Sequence, residues 1–82
     1  MPRRKKYFIG EQVLLYGEID TYRGRVFQWI SGEIVFTDYR MVKVQCEHPV
    51  YDTAGGYHLD GQLWCAHGSK RLRRKDISDE YK

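Results

Sequence analysis

The stretch Met41-Val42-Lys43-Val44-Gln45-Cys46-Glu47 decides the fold. Val42, Val44 and Cys46 fall on one side of a period of two and Lys43, Gln45 and Glu47 on the other, the pattern of a strand with one buried face. The alternation continues on both sides of this segment. Glu11 to Tyr16 turns Val13 and Leu15 inward and Gln12 outward, after a turn at Gly10 and before a stop at Gly17. Gly32 opens another strand, in which Ile34 and Phe36 alternate with Glu33, Val35 and Thr37 until the turn at Asp38-Tyr39. No segment holds a 3.6-residue apolar period for three turns, so the chain is predicted to be all-β.

The connections follow from glycine and from spacing. Glu18 to Ser31 is long and mixed, carrying Tyr22, Arg23, Arg25, Phe27 and Trp29, and is predicted to arch over the barrel as a loop. Ala54-Gly55-Gly56 lies midway between the Met41 strand and Gly61 to His67, which predicts a long hairpin with its tip at Thr53 to Gly56 and with Tyr51, Tyr57 and His58 nearby. Gly68-Ser69 followed by Lys70 and Arg71 reads as one helical turn capped by Ser69, feeding a last strand around Leu72 to Arg74.

With 82 residues, 41% of them hydrophobic, the chain has room for one small core and not for two. We divide it into a basic arm over 1–8, a barrel domain over 9–75 and a polar tail over 76–82. No apolar run reaches the length of a membrane span or a signal-peptide core, so a soluble, cytoplasmic protein without a membrane partner is expected. Two cysteines, Cys46 and Cys65, are too few for a secreted disulfide scaffold and fit free thiols in a reducing compartment.

Five short strands, a long first loop, a long hairpin and a single helical turn before the last strand resemble the SH3-like small-barrel superfamily of Tudor, KOW and chromo-type modules. The residues that carry the likeness are Ile9-Gly10-Glu11-Gln12-Val13, Gly32-Glu33-Ile34-Val35 and Lys70-Arg71-Leu72-Arg73. The likeness implies that the chain ends lie side by side. A narrower likeness is to the plasmid-borne type II dihydrofolate reductases, which work as tetramers. Trp29-Ile30-Ser31-Gly32-Glu33-Ile34-Val35 resembles their W-x-G-x-I-V strand, Glu47-His48-Pro49 a strand-end x-H-P, and Gln62-Leu63-Trp64 their Q-I-Y. The spacing departs from that family: the first loop and the insert from Val50 to Gly61 are longer, Trp29 stands one residue further from Gly32, and Trp64 replaces the tyrosine.

Few residues suit catalysis or metal binding. Cys46-Glu47-His48 and Cys65-Ala66-His67 place a thiol and an imidazole two apart, a spacing that suits tetrahedral zinc. In the expected hairpin register, however, Cys46 faces Leu63 and Cys65 faces Val44, which leaves His48 and His67 more than ~10 Å apart. Only a slipped register could collect all four ligands. No nucleophile elbow, phosphate loop or H-E-x-x-H is present, and Ser31, Ser69 and Ser78 have no evident base. The histidines are read as strand ends or solvent-facing residues. The expectation is a chain that is not an enzyme and has no metal or cofactor.

Charge carries the functional reading. Nine of the fourteen basic residues sit in two runs, Arg3, Arg4, Lys5, Lys6 and Lys70, Arg71, Arg73, Arg74, Lys75, whereas Tyr7 to Ser69 sums to −4. If the ends meet, the runs merge into one positive patch on an acidic body. Bases also alternate with aromatics at Tyr22-Arg23 and Tyr39-Arg40, and Trp64 precedes the second run closely; flat rings beside guanidinium groups suit stacking on bases. Phe8, Phe27, Phe36 and Trp29 are assigned mainly to packing; Trp64, Tyr39, Tyr51 and Tyr57 are the surface candidates. The expected function is a binding module for nucleic acid, DNA or RNA, using Arg3, Arg4, Lys5, Lys6, Lys70, Arg71, Arg73, Arg74, Trp64, Tyr39 and Arg40. The alternative is a protein-protein adaptor or inhibitor acting through the acidic, tyrosine-rich body, with a type II dihydrofolate reductase-like tetramer as a minor alternative and a homo-oligomer compatible with the reading.

Overall fold

The computed structural model describes residues 6–75, which form a nearly closed antiparallel barrel with no helix. Its strands are β1 (Gln12–Thr21), β2 (Gly24–Thr37), β3 (Met41–Cys46), β4 (Val50–Tyr51), β5 (Tyr57–His58), β6 (Gln62–Ala66) and β7 (Leu72–Arg74). The hydrogen-bonded order is β5-β4-β1-β2-β3-β6, with β7 on β1. The all-β barrel stands as expected, with seven strands in place of five.

The segment 18–31 is not a loop. β1 runs on through Gly17 and returns as β2 after the tight turn at Tyr22-Arg23, in unbroken register from Thr21 opposite Gly24 to Gln12 opposite Glu33. Gly17 is a close approach rather than a stop: a Cβ there would lie 3.2 Å from Val50 Cγ2 and 3.3 Å from Ile30 Cδ1. The absent side chain lets β4 lie against the far half of β1, where Glu18 pairs with Tyr51. The near half of that edge is taken by β7, with Val13, Leu14 and Leu15 opposite Arg74, Arg73 and Leu72.

Val13, Leu15, Ile34, Val42, Val44 and Cys46 are buried as alternation predicts, and Ile19 and Ile30 join them from the segment read as a loop. Val13, Leu15, Ile30, Ile34, Val42, Val44 and Val50 are fully buried, and Leu63, Leu72, Ile19 and Cys46 complete the cluster. Phe8 and Phe36, both assigned to packing, are exposed instead. A bulge at Val35 leaves Ile34 opposite Val44 and Phe36 opposite Lys43, so parity changes and both Val35 and Phe36 face outward.

The hairpin tip falls where spacing puts it, with Asp52 Oδ1 accepting from the Ala54 and Gly56 amides. The β3–β6 register is slipped by two residues from the expectation, with Val44 opposite Leu63 and Val42 opposite Cys65. Before β7, the helical turn is replaced by a single reverse turn. Leu72 N donates to Ser69 O at 3.3 Å, and Ser69 Oγ accepts from Arg71 N at 3.1 Å.

The described ends meet at the barrel base. Tyr7, assigned from sequence to the basic arm, is a core residue at 4% exposure, and its hydroxyl donates to Leu72 O at 3.2 Å. Burial raises its hydroxyl pKa above the ordinary value. His67 directly follows the end of β6, as a strand-end histidine, and is buried. Its Nδ1 accepts from Tyr7 N at 3.2 Å, which leaves Nε2 to donate to Asp38 O at 2.7 Å.

Candidate nucleic-acid interface

The outer face of β1 and β2 carries the densest set of exposed aromatic and basic groups. Strand parity sends Tyr16 and Glu18 of β1 outward together with Arg25, Phe27 and Trp29 of β2, with Tyr16 opposite Trp29 and Glu18 opposite Phe27. Tyr16 stacks on Phe27 with centroids 5.8 Å apart and meets Trp29 at 5.2 Å. Phe27 is 57% exposed and Trp29 half-buried, so both are removed from the core role expected of them.

Arginines border this row on both sides. From β7, Arg73 covers Trp29 with its guanidinium carbon 4.1 Å from the ring centroid. Arg71, in the preceding turn, donates from Nε to Tyr16 O at 3.0 Å. On the other side Arg25 lies over Tyr51 at 3.9 Å and pairs with Glu18 at 3.1 Å. Tyr51 in turn donates to Asp20 at 2.9 Å, a bond that holds its hydroxyl pKa above the ordinary value. Arg25, Phe27, Tyr51 and Arg71 line a cleft of about 330 Å³ closed by the β4–β5 tip. The edges of these guanidinium groups that face solvent can donate to phosphate, while the rings offer π-faces.

The residues singled out from sequence separate into distinct places. Arg71 and Arg73 share the aromatic face, Arg71 through Tyr16 O and Arg73 through the Trp29 ring. Arg74 turns the other way: it is bonded to Glu11 and to Lys6 O and lies over the Tyr7 ring at 4.5 Å. That arginine fastens the two described ends together. Lys6 and Lys70 are exposed. Tyr39 and Arg40 lie in the β2–β3 turn, with Arg40 over Tyr39 at 5.7 Å. Trp64 is on β6, where it meets Phe36 edge-on at 5.6 Å and Lys43 at 5.3 Å. Arg3, Arg4 and Lys5 lie outside the described residues. Sequence reasoning missed Tyr16, Phe27 and Trp29; the signal available was the continuation of strand alternation across Gly17.

The slipped β3–β6 register carries Cys46 opposite Gly61 and Cys65 opposite Val42, farther apart than expected. Among the described residues no three His, Cys, Asp or Glu side chains are grouped as metal ligands. Burial pushes the Cys46 thiol up to about 12 and raises that of Cys65. Among the described residues no helix is long and apolar enough to cross a membrane.

The architecture is thus that of a small all-strand barrel compatible with an SH3-like fold. Comparison with family models, curated proteins and solved structures gives no match.

Proposed function

We propose that this chain is a small non-catalytic module that binds single-stranded nucleic acid on the outer face of β1 and β2. The observation that supports it is the open row of Tyr16, Phe27 and Trp29 bordered by Arg71 and Arg73. Stacking on aromatic faces tolerates any base, and flanking arginines follow the phosphates, so the expected preference is for single strands over duplex. We also read the barrel as SH3-like. Strands β1, β2, β3, β6 and β7, with the Ser69 turn ahead of the last, supply its five-strand frame, and β4–β5 is an addition to it.

The test is a fluorescence titration of labelled single-stranded and duplex oligonucleotides at several salt concentrations. Tighter binding of the single strand, weakening steeply with salt, supports the reading. No binding by wild type at low salt overturns it and moves the same face to a protein partner.

A further inference from the structure

We propose that β6 is a self-association edge, on which a second copy of this chain pairs antiparallel across a two-fold axis at Trp64. The backbone fixes which groups are available. Cys46 N donates to Gly61 O at 2.8 Å and His67 N to Arg40 O at 3.2 Å, bonds that belong to the closely paired positions of the β3–β6 ladder. Closely paired positions recur every second residue, so Leu63 and Cys65 direct their amides and carbonyls at β3. Gln62, Trp64 and Ala66 direct theirs away from it, to an edge with no strand beside it among the described residues.

Two of those outward groups are already satisfied. Gln62 N donates to Asp60 Oδ1 at 3.0 Å, and Ala66 O accepts from Ser69 N at 3.1 Å. Among the described residues the open ones are Gln62 O, Trp64 N, Trp64 O and Ala66 N. A two-fold axis at Trp64 pairs them without remainder: each Trp64 amide donates to Trp64 O of the second copy, and each Ala66 amide to Gln62 O of the second copy.

Sequence and surface favour the same occupant. Gln62-Leu63-Trp64-Cys65-Ala66 contains no charge, no proline and no bulge, the devices by which exposed edges discourage pairing. Beside it lie Val35, Phe36 at 47% and Trp64 at 49% exposure, lining a shallow apolar hollow with Gln62 and Lys43. Pairing sets the two Trp64 rings side by side and continues that surface across the axis. The two Lys43 backbones stand three strand spacings apart, about 14 Å, with each ammonium 5.3 Å from the centroid of its own Trp64 ring. The paired strands themselves carry no charge, so two copies of β6 meet without like charges in the ladder, whereas a charged strand would find no counter-charge on β6.

The test is sedimentation velocity of the full chain from about 1 to 500 μM, with tryptophan emission followed over the same range. A monomer–dimer equilibrium that persists at high salt, with emission shifting to the blue as Trp64 is covered, is expected. Trp64→Lys should weaken dimerisation at least about tenfold by placing like charges across the axis. Ala66→Pro removes one paired donor from each copy and keeps the ring, so it should weaken it as well; circular dichroism shows that each variant keeps the barrel. Arg71→Ala/Arg73→Ala should dimerise like wild type, which separates this edge from the nucleic-acid face. A wild-type monomer throughout, or a dimer indifferent to both β6 variants, overturns the proposal.

Discussion

Arg73 lies over Trp29, its guanidinium carbon 4.1 Å from the ring centroid, and joins β7 to the outer face of β2 across β1. The contact holds the arginine in place without neutralising it, because no carboxylate is paired with Arg73 among the described residues. Arg74, one residue on, is bonded to Glu11.

That difference predicts unequal roles for the arginines. Each phosphate contact on a single strand contributes roughly 0.7 unit to the salt slope, so Arg71→Ala/Arg73→Ala should weaken binding for many sequences alike and flatten the slope by about 1.4. Arg74→Ala should leave the slope nearly unchanged and lower the thermal midpoint instead. Oligonucleotide titrations across salt, paired with thermal melts, check both.

Stacking should respond differently from charge. Phe27→Ala and Trp29→Ala are each expected to cost about 1–3 kcal/mol of single-strand affinity with the salt slope preserved. Trp64→Ala, on the far side of β3, should leave that affinity within twofold. Titration of the three variants against one oligonucleotide decides it.

The close contact at Gly32 should make alanine there destabilising. A Cβ would sit 2.8 Å from Val44 Cγ1 and 2.9 Å from Gln45 O, and the carbonyl belongs to a paired strand that cannot yield alone. Gly32→Ala is expected to lose about 1–3 kcal/mol. Gly68→Ala meets nothing within 4 Å and should be close to neutral. Urea unfolding of both variants measures the difference.

Burial keeps the Cys46 thiol protonated up to about pH 12, so alkylation at pH 8 should follow unfolding of the barrel. In the unfolded chain the thiol ionises near its ordinary value of 9.0. Its contribution to stability is therefore complete below that value and lost as pH rises above it. Labelling rates with and without denaturant, followed by mass spectrometry, test this.

Asp52 and Asp38 shift in the opposite direction. The hydrogen bond to His58, followed by the Gly56 and Ala54 amides, lowers the pKa of Asp52; the Met41 and Arg40 amides lower that of Asp38. A depressed carboxylate contributes stability that is present above its unfolded value of 3.8 and lost as pH falls below it. Asp52→Asn can still accept from both turn amides, but it should remove part of the acid dependence seen in melts between pH 5 and about 2.

Most of the fold is legible in the chain because β3 and the first half of β1 are plain alternations with one apolar side. The expectation failed where a local rule met a tertiary reason. Gly17 reads as a terminator, yet its missing side chain makes room for Val50, a residue 33 positions away. Phe36 reads as inward, yet the bulge at Val35 turns it out, and alternation alone carries no mark of a bulge. The aromatic face was lost with the hairpin that builds it: once Glu18 to Ser31 is taken for a loop, Tyr16, Phe27 and Trp29 have no common side.

The seating of β7 against the first half of β1 also governs the order of events during folding. The β1–β2 hairpin spans few residues and can form as soon as both arms exist. The contact of Leu15 with Leu72, and of Tyr7 with Leu72 O, joins opposite ends of the described chain. Until Leu72 arrives, the near half of β1 keeps a bare edge and Tyr7 has no roof. Closure across so long a separation makes the barrel slow to complete for its size, and on the ribosome this final step has to wait until β7 has been synthesised.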